Sequence, residues 1–76
     1  MEKAYILLSC EIGKEIEISS QLRHIYEIKS VMITYGAYDI VIEAETTNSV
    51  QMDNLITSKI RKLEKIRSTI TLRVTD

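Results

Sequence analysis

The chain has 76 residues, 45% of them hydrophobic, with no Trp, Phe or Pro, a single Cys and a formal net charge of −1. That length holds one small domain, and a charge near zero speaks against a dedicated nucleic-acid binder, which carries a strong basic excess. One cysteine excludes an internal disulfide and any CxxC metal or redox motif.

In chain order, Met1-Glu2-Lys3 leads straight into a short apolar run, unlike a signal peptide. No stretch approaches the ~20 apolar residues of a membrane span. A free thiol and no targeting segment point to a reducing cytoplasm. Ala4 to Cys10 is apolar at nearly every position, which predicts a strand buried on both faces. After a break at Glu11-Ile12-Gly13, Lys14 to about Ile25 predicts a helix, with Ile18, Leu22 and Ile25 on one face. Glu15 and Glu17 suit the positive end of its dipole. Ile28 to Tyr35 and Tyr38 to Glu45 predict two strands joined by a tight turn at Gly36, a residue that tolerates unusual φ/ψ. Thr46-Thr47-Asn48-Ser49 offers N-caps for a second helix running to about Leu63, with Met52, Leu55, Ile56, Ile60 and Leu63 as its apolar stripe. Arg67 to Thr75 alternates Ile70, Leu72 and Val74 with threonines and Arg73, a two-residue period.

The order β-α-β-β-α-β predicts an α+β, ferredoxin-like sandwich: one antiparallel four-stranded sheet with both helices on one face. The crossovers are expected to place the first and last strands of the chain at the sheet's centre. No linker divides residues 1–76. One sheet face then stays bare. Ala4, Ile6, Leu8 and Cys10 fall on one side of the first strand, Tyr5 and Leu7 on the other, and the helices cover only one set. Soluble monomers rarely expose large apolar patches, so a dimer closing the open face is expected.

Asp39 stands at the root of a buried strand, where packing gives no reason for an acid. It must find a donor, face water or hold a ligand. The backbone N–H groups of Gly36 and Ala37 are able to receive a carboxylate and Asp39 an ammonium, with Tyr35 and Tyr38 as amphipathic walls. An amino acid carries both groups. Thr69 and Thr71 share one face of the last strand; they suit a solvated β face, and their hydroxyls are also able to orient a small polar ligand. His24 reads as a helix C-terminal residue, Cys10 as an inert buried thiol, and Lys59, Arg61, Lys62, Lys65 and Arg67 as a solvated basic end. No P-loop, GxSxG, HExxH or paired-carboxylate motif is present, and no metal or cofactor is expected.

The hairpin Tyr35-Gly36-Ala37-Tyr38-Asp39-Ile40-Val41 resembles the Gly-x-Tyr-Asp signature of the effector-binding (RAM) domain of Lrp/AsnC transcription regulators. The tail Ile60-Arg61-Lys62-Leu63 and Ile66 to Leu72 is similar to that domain's closing helix and strand, as are Ala4 to Leu8 and Gly13-Lys14-Glu15. The resemblance implies a single RAM-type ligand-binding domain over 1–76, starting at its first strand with no helix-turn-helix ahead of it. It implies dimers formed through sheet faces, dimers assembling further, and an amino-acid effector held near Tyr35, Gly36, Ala37, Tyr38 and Asp39 with Thr69 and Thr71. Full-length Lrp/AsnC regulators are implied as partners, with no direct DNA or membrane binding by this chain. Glu64-Lys65 departs from the family's frequent Pro-Gly turn.

The expected function is therefore amino-acid sensing and oligomerisation that modulates such regulators, without catalysis. The alternatives are a small dimeric ferredoxin-like enzyme with a cavity between sheet and helices, which an internal pocket holding His24 would favour; a nucleic-acid module using the basic end; and a domain of the related ACT type.

Overall fold

A computed structural model describes residues 1–75. The elements run β1 (Glu2–Cys10), α1 (Glu15–Leu22), β2 (Ile28–Ile33), β3 (Ile40–Thr46), α2 (Ser49–Asn54) continuing as a π-helix (Leu55–Ile60), and β4 (Ile66–Arg73). This is the expected βαββαβ order. The sheet is fully antiparallel in the order β2-β3-β1-β4.

That order corrects the expectation of central first and last strands: β1 and β3 are central, and β4 is an edge. Pairing explains it. The β2–β3 connection makes those strands neighbours, and β3 runs along β1 from Leu8↔Ile40 to Glu2↔Thr46. β3 thus fills the place between β1 and β2. Two edges are then free, the outer sides of β1 and of β2, and β4 takes the one beside β1.

Strand alternation sorts the faces. Ala4, Ile6, Leu8 and Cys10 of β1 lie beside Ile40, Ile42 and Ala44 of β3, all buried. Ile18 and Leu22 of α1 and Met52, Leu55, Ile56 and Ile60 of the second helix close over them. The core is aliphatic, as the composition requires.

Both helices differ in detail from their sequence reading. α1 stops at Leu22 rather than near Ile25, because His24 N donates to Gln21 O and Ile25 N to Leu22 O, tightening the last turn to three-residue spacing. α2 starts as expected: the Asn48 side chain accepts from Gln51 N at 2.9 Å, and Gln51 Oε1 accepts from Thr47 N at 2.9 Å. Its second half widens into a π-helix, in which Arg61 N donates to Ile56 O. Leu55, Ile56 and Ile60 are all buried there.

The open face carries Tyr5 and Leu7 of β1, Val41 and Glu43 of β3, Met32 and Ser30 of β2 and Ile70 and Leu72 of β4, as the registers dictate. Met32, Ile70 and Leu72 are exposed.

Candidate functional site

The β2–β3 connection is longer than a tight turn at Gly36. It spans residues 34 to 39, with β2 ending at Ile33 and β3 starting at Ile40. Thr34 pins it at both levels: its N–H donates to Asp39 O and its hydroxyl to Tyr38 O, each at 2.8 Å. Gly36 sits at φ +123 with no atom within 4 Å of where a Cβ would stand. Only glycine adopts that backbone at no steric cost.

Asp39 finds its donor inside the fold. Its Oδ2 accepts from Cys10 N at 2.9 Å, and its own N–H donates to Leu8 O at 2.8 Å. Regular β1–β3 pairing ends at Leu8↔Ile40. The carboxylate therefore takes over the ladder where β3 no longer supplies a carbonyl. Its second oxygen, Oδ1, has no protein donor among the described residues. Nearby, burial pushes the Cys10 thiol above its usual pKa, and the charges of Asp39, Glu15 and Glu11 add to it. Cys10 is buried and unreactive in character.

A cleft of about 500 Å³ lies beside this turn, lined by Glu15, Ile16, Ile33, Thr34, Tyr35, Gly36 and Asp39. Three of the seven residues named from the sequence thus meet in one place: Tyr35, Gly36 and Asp39. Ala37 and Tyr38 belong to the same connection without lining the cleft. The N–H groups of residues 35 to 38 have no acceptor among the described residues. Ile16 is 76% exposed and Tyr35 wholly so.

Thr69 and Thr71 lie elsewhere in the single chain. They pair with Leu8 and Ile6, which puts them on the helix-covered side of edge strand β4. Thr71 lines a separate cleft of about 340 Å³ with Asp53, Ile56, Thr57, Arg61 and Arg73. A third, larger groove of about 640 Å³ opens at the far end of β3, between residues 26 to 29 and α2.

Sequence reasoning missed Glu15, Ile16, Ile33 and Thr34 as cleft residues. Ile16 carried a legible signal: it falls outside the Ile18–Leu22 face of α1, where the helix has no use for an apolar residue. His24 lines none of these clefts; it is exposed, with Nδ1 2.8 Å from Ser20 O. The basic end is partly neutralised, Lys59 by Glu27 at 3.0 Å and Lys65 by Glu17 at 3.1 Å. Arg61, Lys62 and Arg67 remain exposed.

A family profile described as the Lrp/AsnC ligand binding domain matches residues 3–76. The chain belongs to that family. This Lrp/AsnC domain is 34% identical over 71 residues to the HTH-type transcriptional regulator FL11 of Pyrococcus furiosus, covering 93% of this chain and 46% of FL11. It spans less than half the length of the curated relatives it matches. Among solved structures it is similar to FFRP-DM1, with a TM-score of 0.96 and 36% identity over 99% of this chain and 100% of that one. The fold is also shared with the regulator NMB0573 of Neisseria meningitidis, solved as a complex with L-Met. There the TM-score is 0.85 and the identity 16%, over 99% of this chain and 50% of that one. The Lrp/AsnC domain's relatives are thus transcription regulators, and its ferredoxin-like fold is theirs. No helix among the described residues is long and apolar enough to cross a membrane.

Proposed function

We propose that this Lrp/AsnC domain senses an amino acid and couples its binding to assembly, modulating transcription regulators of the same family. The observation that carries the reading is the cleft at the β2–β3 connection. It joins the N–H donors of Tyr35 and Gly36, the Oδ1 of Asp39, the Glu15 carboxylate, and the apolar surfaces of Ile16, Ile33 and Tyr35. A zwitterion with an apolar side chain complements all three: its carboxylate meets the amides, its ammonium the acids and its side chain the isoleucines. A regulator of the same fold, NMB0573, was solved with L-Met, which is in keeping with an amino acid as the class of ligand.

The cleft is open, so a second copy closing over it would desolvate the ligand. Tyr35 and Ile16, exposed in the single chain, favour such closure. The open sheet face supports pairing as well. Burying about 500 Å² of apolar area per partner at ~25 cal/mol/Å² contributes roughly 12 kcal/mol per partner before association costs. A ligand shifts the oligomer distribution only through its different affinity for the two states. Thr69 and Thr71 join the site only if another copy brings β4 to the cleft. Residues 1–76 act as one ligand-binding unit in this proposal, in the cytoplasm and without catalysis of their own. Full-length family regulators are its partners through mixed assembly.

A thermal-shift screen of the twenty amino acids, run with light scattering, tests the proposal. At least one amino acid is expected to raise Tm and change the scattering mass, and Asp39→Asn to weaken that response. No response to any of the twenty overturns the sensing role.

A further inference from the structure

Glu43 sits at the middle of the open sheet face, on central strand β3. It lies opposite Tyr5 of β1, beside Ser30 of β2, and two residues along the strand from Val41. The surrounding residues of that face are Leu7, Met32, Val41, Ile70 and Leu72, with Lys3 and Glu45 on the side toward the end of β3. An acid there has no packing role, and an apolar face would be larger without it.

The chain satisfies Glu43 from within. Lys3 Nζ stands 2.9 Å from Oε2, and the Ser30 hydroxyl lies 3.5 Å from Oε1. The same ammonium lies 5.7 Å from the Tyr5 ring. The side chains of Lys3 and Glu43 are 37% and 25% exposed. In the free chain such a pair contributes little, because water screens it. Covered by a second sheet, it changes character: the intact pair is tolerated, but either charge alone is a buried charge without a partner.

We infer that the Lys3–Glu43 pair is the polar element that selects a second copy of this chain on the open sheet face. The inference rests on the sheet-face pairing proposed above and adds what controls it. The pair is electrically neutral and satisfied within one chain, so two copies of it meet without repulsion, as a two-fold interface requires; Glu45, opposite Lys3 on the same face, lies farther along β3 toward its end. A surface carrying an unmatched charge at the facing position would desolvate that charge against a partner already occupied. The pair thus discriminates against mismatched faces more than it tightens matched ones, as polar groups at apolar interfaces do.

The test is the self-association of the full chain by sedimentation, for wild type, Lys3→Met, Glu43→Met and the double variant. Both residues lie on the surface of the single chain, so the variants fold, and circular dichroism checks this. Each single variant is expected to weaken self-association about 100-fold, by stranding a charge under the partner. The double variant is expected to return to within about 10-fold of wild type or to bind more tightly. Single variants that associate like wild type overturn the inference while leaving the sheet-face dimer standing. A double variant as weak as the singles also overturns it, since the loss is then not one of pairing. A wild-type chain that stays monomeric at millimolar concentration removes the sheet-face reading and this inference together.

Discussion

The Asp39 carboxylate holds the backbone N–H of Cys10 at 2.9 Å across 29 residues of sequence. The bond fixes the end of β1 against the start of β3, and so sets the floor of the cleft beside Gly36. The acid does this through Oδ2 alone.

Replacing Asp39 therefore has two separable effects. Asp39→Ala leaves the Cys10 N–H without an acceptor and is expected to cost about 1–3 kcal/mol in urea denaturation. Asp39→Asn keeps an acceptor oxygen and is expected to lose less stability while losing the charge that would pair an ammonium. Equal stability losses in the two variants would show that charge, not the acceptor, holds the strand end.

Gly36→Ala isolates backbone strain, because at φ +123 a Cβ meets nothing within 4 Å. A loss of about 1 kcal/mol or more is expected, read from the denaturation midpoint at unchanged slope. An unchanged midpoint would mean that the connection relaxes to another backbone shape.

Lys65 adopts φ 73, a left-handed conformation, just before β4. Its carbonyl accepts from Glu11 N at 2.9 Å, which locks the geometry. Lys65→Gly is expected to be within about 1 kcal/mol of wild type, relief of strain offsetting the lost Glu17 pair and the larger unfolded-state entropy. Lys65→Val, β-branched at positive φ, is expected to cost about 1–2 kcal/mol. Thermal melts of the two variants decide it.

The Lys59 hydrogen bond to Glu27 holds that carboxyl below its usual pKa, against the opposing effect of burial. A depressed carboxylate pKa contributes stability above its unfolded value, and that contribution is lost as pH falls through the folded one. Glu27→Gln is expected to cost under about 1 kcal/mol at pH 7, since the pair is partly exposed. The difference from wild type should vanish in denaturation at strongly acidic pH. A difference that persists there would assign the loss to packing.

The Cys10 thiol runs the other way. Burial and the neighbouring carboxylates raise its pKa, so the folded chain resists forming the thiolate. Alkylation at neutral pH is expected to be slow in the native chain and fast in urea. Stability should fall as pH rises from the ordinary thiol range toward the folded pKa, a fall that Cys10→Ala abolishes.

Much of the molecule was legible along the chain because it depends on local periodicity. The alternation of Ala4, Ile6, Leu8 and Cys10 against Tyr5 and Leu7 named the two faces of β1. The spacing of Met52, Leu55, Ile56 and Ile60 named the buried side of the second helix. Gly36 and Asp39, with the residues around them, carried the family likeness, and Asp39's need for a donor followed from its place at a buried strand's root. What the sequence by itself determined was thus the element order, the aliphatic core and the family. Only the tertiary structure decided that β1 and β3 are central, that Asp39 answers to Cys10, that Ile16 and Glu15 share its cleft, that Thr69 and Thr71 face the helices, and that Lys3 reaches Glu43. Each of these depends on register between segments far apart in sequence. A single-residue slip in that register sends a side chain to the opposite face, and no local pattern records it.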